Sequence, residues 1–434
     1  MYAVQAIAEA SAKICSKMLD LDHSSSGDEP CNQTQPHILL GVTSAQTCVV
    51  LAGRVRTLRA AGFRVSLLSA PGQLLEQTAR NEGADAYPVR MERGISPLSD
   101  IAALVRIWRL LRHLKPDVVE FSTPKAGLLG TLAACFCGIS ARVYFLRGLK
   151  LETSRGLKRS LLVWAERIAA RCAHAVVCNS RSLRERALVL GVAPATKLVV
   201  LGGGSSNGVD LARFAPGPSS TRTQLGVPEE AVVVGFVGRL TADKGVPELL
   251  EAFAGVLRQE PSAYLLLVGW FDAAEDALDR RVRARIEGHP RIICTGFVAD
   301  TAPYYRAIDL MVLPSWREGF PNVVLEAAAT GIPVIATRCT GSRDAVIPGV
   351  TGVLVSPGDP DALCGAVVSL LRNPGLRQRM SAAARGWVAE TFEDRRVLGL
   401  AVAFYLSLLG PANVPAAERE ERRPDAITGL PVSL

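Results

Sequence analysis

From His37 onward, short apolar runs alternate with longer stretches whose apolar positions recur every three or four residues. HILLGVTS (37–44) predicts a strand, VVLAGRVRTLRAAG (49–62) an amphipathic helix closed by Gly62, and FRVSLLSAPG (63–72) a second strand. The alternation continues through ALVRIWRLLRHLK, PDVVEFST, AGLLGTLAACFCG, ARVYFLRG, a long helix around LKRSLLVWAERIAARCA, and HAVVCNS. A stretch rich in Pro, Gly and Ser, VDLARFAPGPSSTRTQLGVPEE, then reads as an interdomain linker. A second series follows: AVVVGFVGRL, PELLEAFAGVLRQ, AYLLLVGW, ALDRRVRARIEG, RIICTGFV, DLMVLPS, PNVVLEAAATG, PVIATRC, and one long helical stretch from Asp361 to Phe392. Strand–helix alternation implies parallel, doubly wound sheets with ligands at the carboxyl ends of the strands. The expected fold class is therefore α/β, two Rossmann-like domains facing across a cleft. The expected division is a flexible extension 1–35, a first domain 36–217, a second domain 218–395, a C-terminal helix 396–410 that packs back on the first, and a flexible tail 411–434.

Composition narrows the classes. The chain of 434 residues is 49% hydrophobic and 21% charged, which suits core-forming domains and not a disordered chain. Its 10 cysteines are scattered without a CxxC pair, the pattern of reduced thiols in a cytosolic protein. The 5 histidines form no HxxxH or HExxH, so no tightly bound metal and no cofactor are expected. Asp20-Leu-Asp22 and Asp359-Pro-Asp361 imitate a metal-binding DxD. The first lies in the extension, and the second follows a Pro-Gly turn as a helix cap. The first basic residue, Lys13, follows the apolar stretch of the N-terminus, unlike a signal peptide, and no run approaches 18 apolar residues. The expected location is cytoplasmic.

The net charge of +8 is unevenly spread. Residues 36–217 hold 25 Lys/Arg against 11 Asp/Glu, an excess of 14, whereas residues 218–410 hold 19 against 21. A basic half suits nucleic acid, anionic lipid or a phosphorylated ligand, or is simply a soluble surface. No nucleic-acid module accompanies it, so nucleic acid is not expected. Two stretches, Ile101–Lys115 with Arg106, Arg109, Arg112 and Lys115, and Ser154–Arg171 with Arg155, Lys158 and Arg159, suit helices lying on an anionic membrane. Equally, each suits a core-facing helix with a solvated basic face.

The sharpest candidate chemistry is PSWREGFPNVVLEAAATG (314–331). A strand ends, Glu318 and Gly319 stand in a loop, and a helix is predicted to begin near Pro321, a residue suited to the first helical turn. Such a loop turns backbone N–H groups and the positive end of a dipole toward an anion. A carboxylate there can accept two hydrogen bonds from a sugar or ribose diol. On spacing alone, two glutamates eight apart are solvated surface. A guanidinium and an ammonium, Arg239 and Lys244, follow the strand VVVGFV, where they could neutralise an anion or simply form surface ion pairs.

Glu318-Gly-Phe-Pro-x4-Glu326 resembles the E-x7-E motif of the family-4 glycosyltransferases, and Gly238-Arg-Leu-x3-Lys244-Gly245 resembles their diphosphate clamp. Thr340-Gly-Ser-Arg-Asp344 is a looser match to the family's G-G-x-x-E stretch, with Asp344 where Glu is usual. Thr123–Gly130, Arg147–Thr153, Val177–Ser180 and Gly202–Asp210 resemble members that build capsule, O-antigen or exopolysaccharide units on polyprenyl diphosphate. The likeness covers about residues 36–400.

It implies the GT-B fold, with the acceptor on the first domain and the nucleotide sugar on the second. It implies a metal-independent, retaining transfer of a hexosyl or N-acetylhexosaminyl group, UDP-linked in the favoured form, to a polyprenyl-diphosphate-linked saccharide. Arg239, Lys244 and Glu318 are then the candidate catalytic residues. Gly238, Gly319, Phe320, Pro321, Asn322 and Glu326 are donor-binding, with Glu318 on the sugar and Glu326 on the ribose. Lys125, Arg147, Asn207 and Asp210 are candidates for the acceptor or cleft, Arg147 standing where many members have histidine. Gly202–Gly208 fails as a dinucleotide fingerprint because Asn207 occupies its last glycine. The implied protein is peripheral to the inner face of the plasma membrane. The rivals are a GT-B-type sugar-nucleotide epimerase or phosphorylase, and a nucleotide-sugar-binding scaffold without turnover.

Overall fold

The computed structural model describes residues 35–92, 94, 96–272 and 277–409. The expected extension, with Asp20 and Asp22, lies outside these except for Gln35, and the expected tail lies outside them entirely. Strands β1 His37–Gly41, β2 Arg64–Ser69, β3 Asp85–Pro88, β4 Val118–Ser122, β5 Ala141–Leu146, β6 Ala175–Cys178 and β7 Leu198–Val199 form a sheet of order β3-β2-β1-β4-β5-β6-β7. Strands β8 Val233–Val237, β9 Tyr264–Val268, β10 Ile292–Cys294, β11 Leu310–Leu313, β12 Val334–Thr337 and β13 Gly352–Val355 form a second, of order β10-β9-β8-β11-β12-β13. The pairings among β1–β5 and among β8–β13 are parallel, with Ile38 opposite Val65 and Val118 in one sheet and Val234 opposite Leu265 and Leu310 in the other. Both orders reverse once, between β1 and β4 and between β8 and β11, as doubly wound Rossmann sheets do. Burial on both faces explains why the strands read as continuous apolar runs such as VVGFV and LMVL.

The chain resolves into two compact units. One gathers the described parts of Met1–Phe145, Trp164–Val177 and Leu398–Leu434; the other gathers Leu146–Val163 and Cys178–Val397. In the second unit Phe236, Leu267, Val312, Leu325 and Ile335 share one core with Phe253 and Val388. In the first, Leu39, Val119 and Phe121 pack against Ile107, Leu111, Leu129 and Ala133.

Several elements depart from the sequence pattern. The helix expected over 49–62 is broken: Gly53, at φ +76°, caps a helix confined to Arg54–Ala60. The C-terminal stretch splits into Pro360–Leu371 and Pro374–Phe392, since Asn373 caps a new helix through its bond from Leu376 N and Pro374 opens it. Strands β3, β7 and β13 were not legible, being short or of mixed polarity, as in DAYP. Asp359 does act as a helix cap, accepting from Ala362 N at 2.9 Å.

Within the first unit, residues 398–408 of the helix Asp394–Leu408 are fastened through a buried polar knot. Arg54 pairs with Glu120 at 3.1 Å, the Tyr405 hydroxyl donates to the same carboxylate, and the guanidinium lies 4.7 Å from the centre of the Phe145 ring. A second buried carboxyl, Glu166, accepts a 2.7 Å hydrogen bond from the Tyr144 hydroxyl. Burial outweighs that bond and raises its pKa from 4.5 to about 7. A carboxyl whose pKa is raised by folding contributes stability at low pH that is lost as pH climbs from 4.5 through about 7. Glu166→Gln should therefore flatten this decline and leave the protein more stable than the parent at pH 8, by up to about 3 kcal/mol. Urea denaturation at several pH values checks it; parallel pH profiles for parent and variant would contradict it.

Candidate active site

The topological switch point of the second sheet lies between β8 and β11, and ligands of doubly wound sheets gather outside the carboxyl ends of strands at such a point. Gly238 and Arg239 follow β8, a 3₁₀ turn Ala242–Lys244 comes next, and the loop Pro314–Pro321 follows β11. The sequence-predicted Arg239, Lys244 and Glu318 are thus delivered by adjacent strands.

Their charges are crossed in pairs. Lys244 Nζ meets Glu318 Oε1 at 2.6 Å, with both side chains largely buried, and the Ser315 hydroxyl donates to the same oxygen at 2.7 Å. Arg239 pairs with Asp272, in the loop after β9, at 2.9 Å. The residues just before Lys244 and Glu318 form a third pair of opposite polarity, Asp243 with Arg317 at 2.8 Å. Burial disfavours charge on Asp243. The Thr241 hydroxyl at 2.6 Å, together with Arg317, Lys244 and Arg239, outweighs that and holds its carboxyl below the usual range.

Backbone contacts fix the Glu318 loop. Gly245, at φ +72°, lies against Pro314 O, and a Cβ there would collide with that carbonyl. Gly319 is pressed against the Arg147 carbonyl oxygen, leaving no room for a side chain. With its amide oriented to satisfy both neighbours, Asn179 donates to Gly319 O at 3.1 Å and accepts from Phe320 N at 3.3 Å. Phe320 is buried with its ring 5.2 Å from that of Phe392. The helix spans Asn322–Thr330, so Pro321 is its N-cap and not a first-turn residue; its ψ of 97° is extended. Asn322 accepts from the Ser205 hydroxyl at 3.0 Å, and Ser205 also accepts from Gly208 N at 3.0 Å, which carries the Ser205–Gly208 turn, with half-buried Asn207, to the start of this helix. Glu326 accepts from the Tyr305 hydroxyl at 2.8 Å. Burial raises its carboxyl above the ordinary range against the opposing effects of Tyr305 and Arg213.

Other candidates are engaged elsewhere. Lys125 bonds Asp100 at 2.6 Å and the Gly94 carbonyl, inside the first unit. Asp210 is exposed and accepts from Ala212 N and Arg213 N, closing a local turn. Asp344 accepts from Ser182 N at 3.1 Å and from the Ser182 hydroxyl, near the start of the helix Arg181–Val189. Nothing in the sequence alone marks Asp272, Asp243, Arg317, Tyr305 or Ser315. Asp243 and Arg317 each adjoin a motif residue, but a linear reading has no means of pairing positions 74 residues apart. Among the described residues no group of three or more His, Cys, Asp or Glu could hold a metal ion, and no helix is long and apolar enough to cross a membrane.

A family model described as "Glycosyl transferases group 1" matches residues 231–373, and one described as "Glycosyl transferase 4-like domain" matches 49–204. The chain is 33% identical over 355 residues to a capsular polysaccharide biosynthesis glycosyltransferase, CapM, of Staphylococcus aureus, covering 82% of this chain and 92% of that protein. It belongs to the family-4 glycosyltransferases of the GT-B type. It is also 29% identical over 282 residues to the Escherichia coli UDP-Gal:alpha-D-GlcNAc-diphosphoundecaprenol alpha-1,3-galactosyltransferase, covering 64% of this chain and 72% of that one. In fold it is similar to the Anabaena protein HepE, solved in complex with UDP and glucose, at a TM-score of 0.70 and 22% identity over 86% of this chain and 100% of that one.

In this glycosyltransferase the Asp243–Arg317 pair joins the two loops that carry Lys244 and Glu318. Asp243→Asn and Arg317→Gln should each destabilise the protein, and the double variant should cost little more than either, an interaction energy of about 1–3 kcal/mol. A double-mutant cycle in urea measures it; simple additivity would show that the pair does not couple the loops.

Proposed function

We propose that this glycosyltransferase moves a hexosyl or N-acetylhexosaminyl group, UDP-linked in the favoured form, onto a polyprenyl-diphosphate-linked saccharide with retention of anomeric configuration. The product belongs to a surface polysaccharide: capsule, exopolysaccharide or lipopolysaccharide. The observation that carries the reading is the Lys244–Glu318 pair at the switch point, 2.6 Å apart and backed by Arg239. An incoming diphosphate would exchange for the carboxylates on Lys244 and Arg239, and the released Glu318 would accept from hydroxyls of the transferred sugar. The two cations then stabilise charge on the leaving diphosphate, while the anomeric carbon passes through an oxocarbenium-like state. Glu326 would hold the ribose. The likeness to a UDP-galactose enzyme whose named acceptor is a diphosphoundecaprenol saccharide supports both donor and acceptor classes.

The sequence domains are taken as 36–217 for the acceptor and 218–395 for the donor, with 396–410 returning to the first. The two family-model matches and the placement of Leu398–Leu408 in the first unit support this division, although Leu146–Val163 and residues 178–217 pack with the second unit. A cytoplasmic position against the inner face of the plasma membrane follows from a lipid-linked acceptor and the basic excess of residues 36–217, where Arg106, Arg109 and Arg112 are exposed.

A screen of nucleotide sugars against polyprenyl-diphosphate-linked acceptors, read by mass spectrometry and by NMR of the new linkage, tests the assignment. Transfer with inversion, or turnover that needs no acceptor, would overturn it. Lys244→Ala and Arg239→Ala should each slow turnover by two to three orders of magnitude, about 3–4 kcal/mol, with the fold intact. Near-parental rates in folded variants would remove them from the mechanism. Glu326→Gln should weaken binding of the nucleoside diphosphate, whereas Glu318→Gln should mainly impair transfer. Because the Glu326 carboxyl is raised, parental nucleotide affinity should fall with decreasing pH already above the ordinary carboxylate range, and Glu326→Gln should abolish that limb. Calorimetry reads both, and equal losses in the two variants would contradict the division of roles.

A further inference from the structure

The helix Gly156–Cys172 is apolar on the wrong side. Leu157, Leu161, Trp164 and Ile168 are 91%, 51%, 62% and 40% exposed. At 3.6 residues per turn they fall within one sector of about 60°. Glu166, Ala169 and Ala170 are buried on the opposite face, where Glu166 accepts from Tyr144. An ordinary surface helix turns its apolar stripe inward and its charges outward; here the outward stripe is the apolar one.

Charge selects the occupant. Residues 154–172 contain five cations, Arg155, Lys158, Arg159, Arg167 and Arg171, and a single carboxylate, Glu166, which faces inward. All five cations are exposed, and the Arg167 guanidinium lies 6.0 Å from the centre of the Trp164 ring. A two-fold contact with a second copy would set this same patch against itself and bring cation against cation. An anionic bilayer instead takes the apolar stripe among its acyl chains, the indole at the headgroup level and the cations on its phosphates.

We propose that the helix Gly156–Cys172 is the membrane-inserting element of this protein, with Leu157, Leu161, Trp164 and Ile168 entering an anionic lipid surface. The inference deepens the reading of a lipid-linked acceptor and rests on it for its purpose. It differs from attachment by charge alone, because the exposed arginines of Pro97–Leu114 become secondary to four apolar side chains.

The test compares the full-length protein with Leu161→Gln/Trp164→Gln, two exposed positions at which polar side chains leave the core untouched. Each is sedimented with vesicles of phosphatidylcholine alone and of phosphatidylcholine mixed with phosphatidylglycerol, at low and high salt. The parent should bind the mixed vesicles and retain part of that binding at high salt, since insertion is not screened. The double variant should lose about tenfold or more in affinity, while UDP binding by calorimetry stays unchanged. Equal sedimentation of parent and variant would overturn the proposal. So would a concentration-dependent dimer of the parent that the variant loses, which would assign the stripe to a second copy. Absence of UDP binding in both proteins would instead count against the transferase site and leave the vesicle result standing.

Discussion

Charge neutralisation at the switch point of the second sheet is the constraint on which the site depends. Arg239, Lys244 and Arg317 are brought to the ends of β8 and β11, close enough to act together on the Asp243 carboxyl. Such a concentration of positive charge favours an anionic ligand and penalises the empty protein. The folded chain answers with three carboxylates, Asp272, Glu318 and Asp243, one to each cation. Two of these pairs involve residues that the proposed mechanism uses. The third is nearly buried and joins the loops that carry them. Charge pairing thereby serves as structural cement and, in the proposed mechanism, holds the place of the donor.

The surrounding backbone makes that arrangement specific. Gly245 and Gly319 stand where a carbonyl oxygen approaches too closely for any Cβ, so the two loops are set by contacts that only glycine permits. Asn179 then holds the Gly319–Phe320 peptide on both sides, and Ser205 ties the start of the helix Asn322–Thr330 to the Gly202–Gly208 turn. Glu318 sits among cations and Glu326 beside the neutral hydroxyl of buried Tyr305. The same side chain, eight residues apart, therefore meets two different electrostatic environments.

Most of the fold was legible because parallel strands buried on both faces read as unbroken apolar runs, as in VVGFV and LMVL. Legibility ended where burial was partial or the strand very short, as in DAYP at an edge, and where one glycine broke a periodic stretch at Gly53. The motif residues were visible as spacing, yet the partners they take outside the motifs were not. Asp272, Asp243 and Tyr305 carry no local signature and matter only through contacts made across the fold. The helix Gly156–Cys172 shows the same limit from the other side. Its mixture of Leu, Trp and Arg suits either a membrane or a core, and the outward placement of Leu157 and Trp164 excludes a core role for that stripe.

The most direct measurement is the structure of the protein with a bound nucleoside diphosphate. Lys244 Nζ should leave Glu318 and Arg239 should leave Asp272, both cations turning onto phosphate oxygens while Asp243 and Arg317 stay paired. A nucleotide bound elsewhere, or bound with Lys244–Glu318 and Arg239–Asp272 intact, would contradict it.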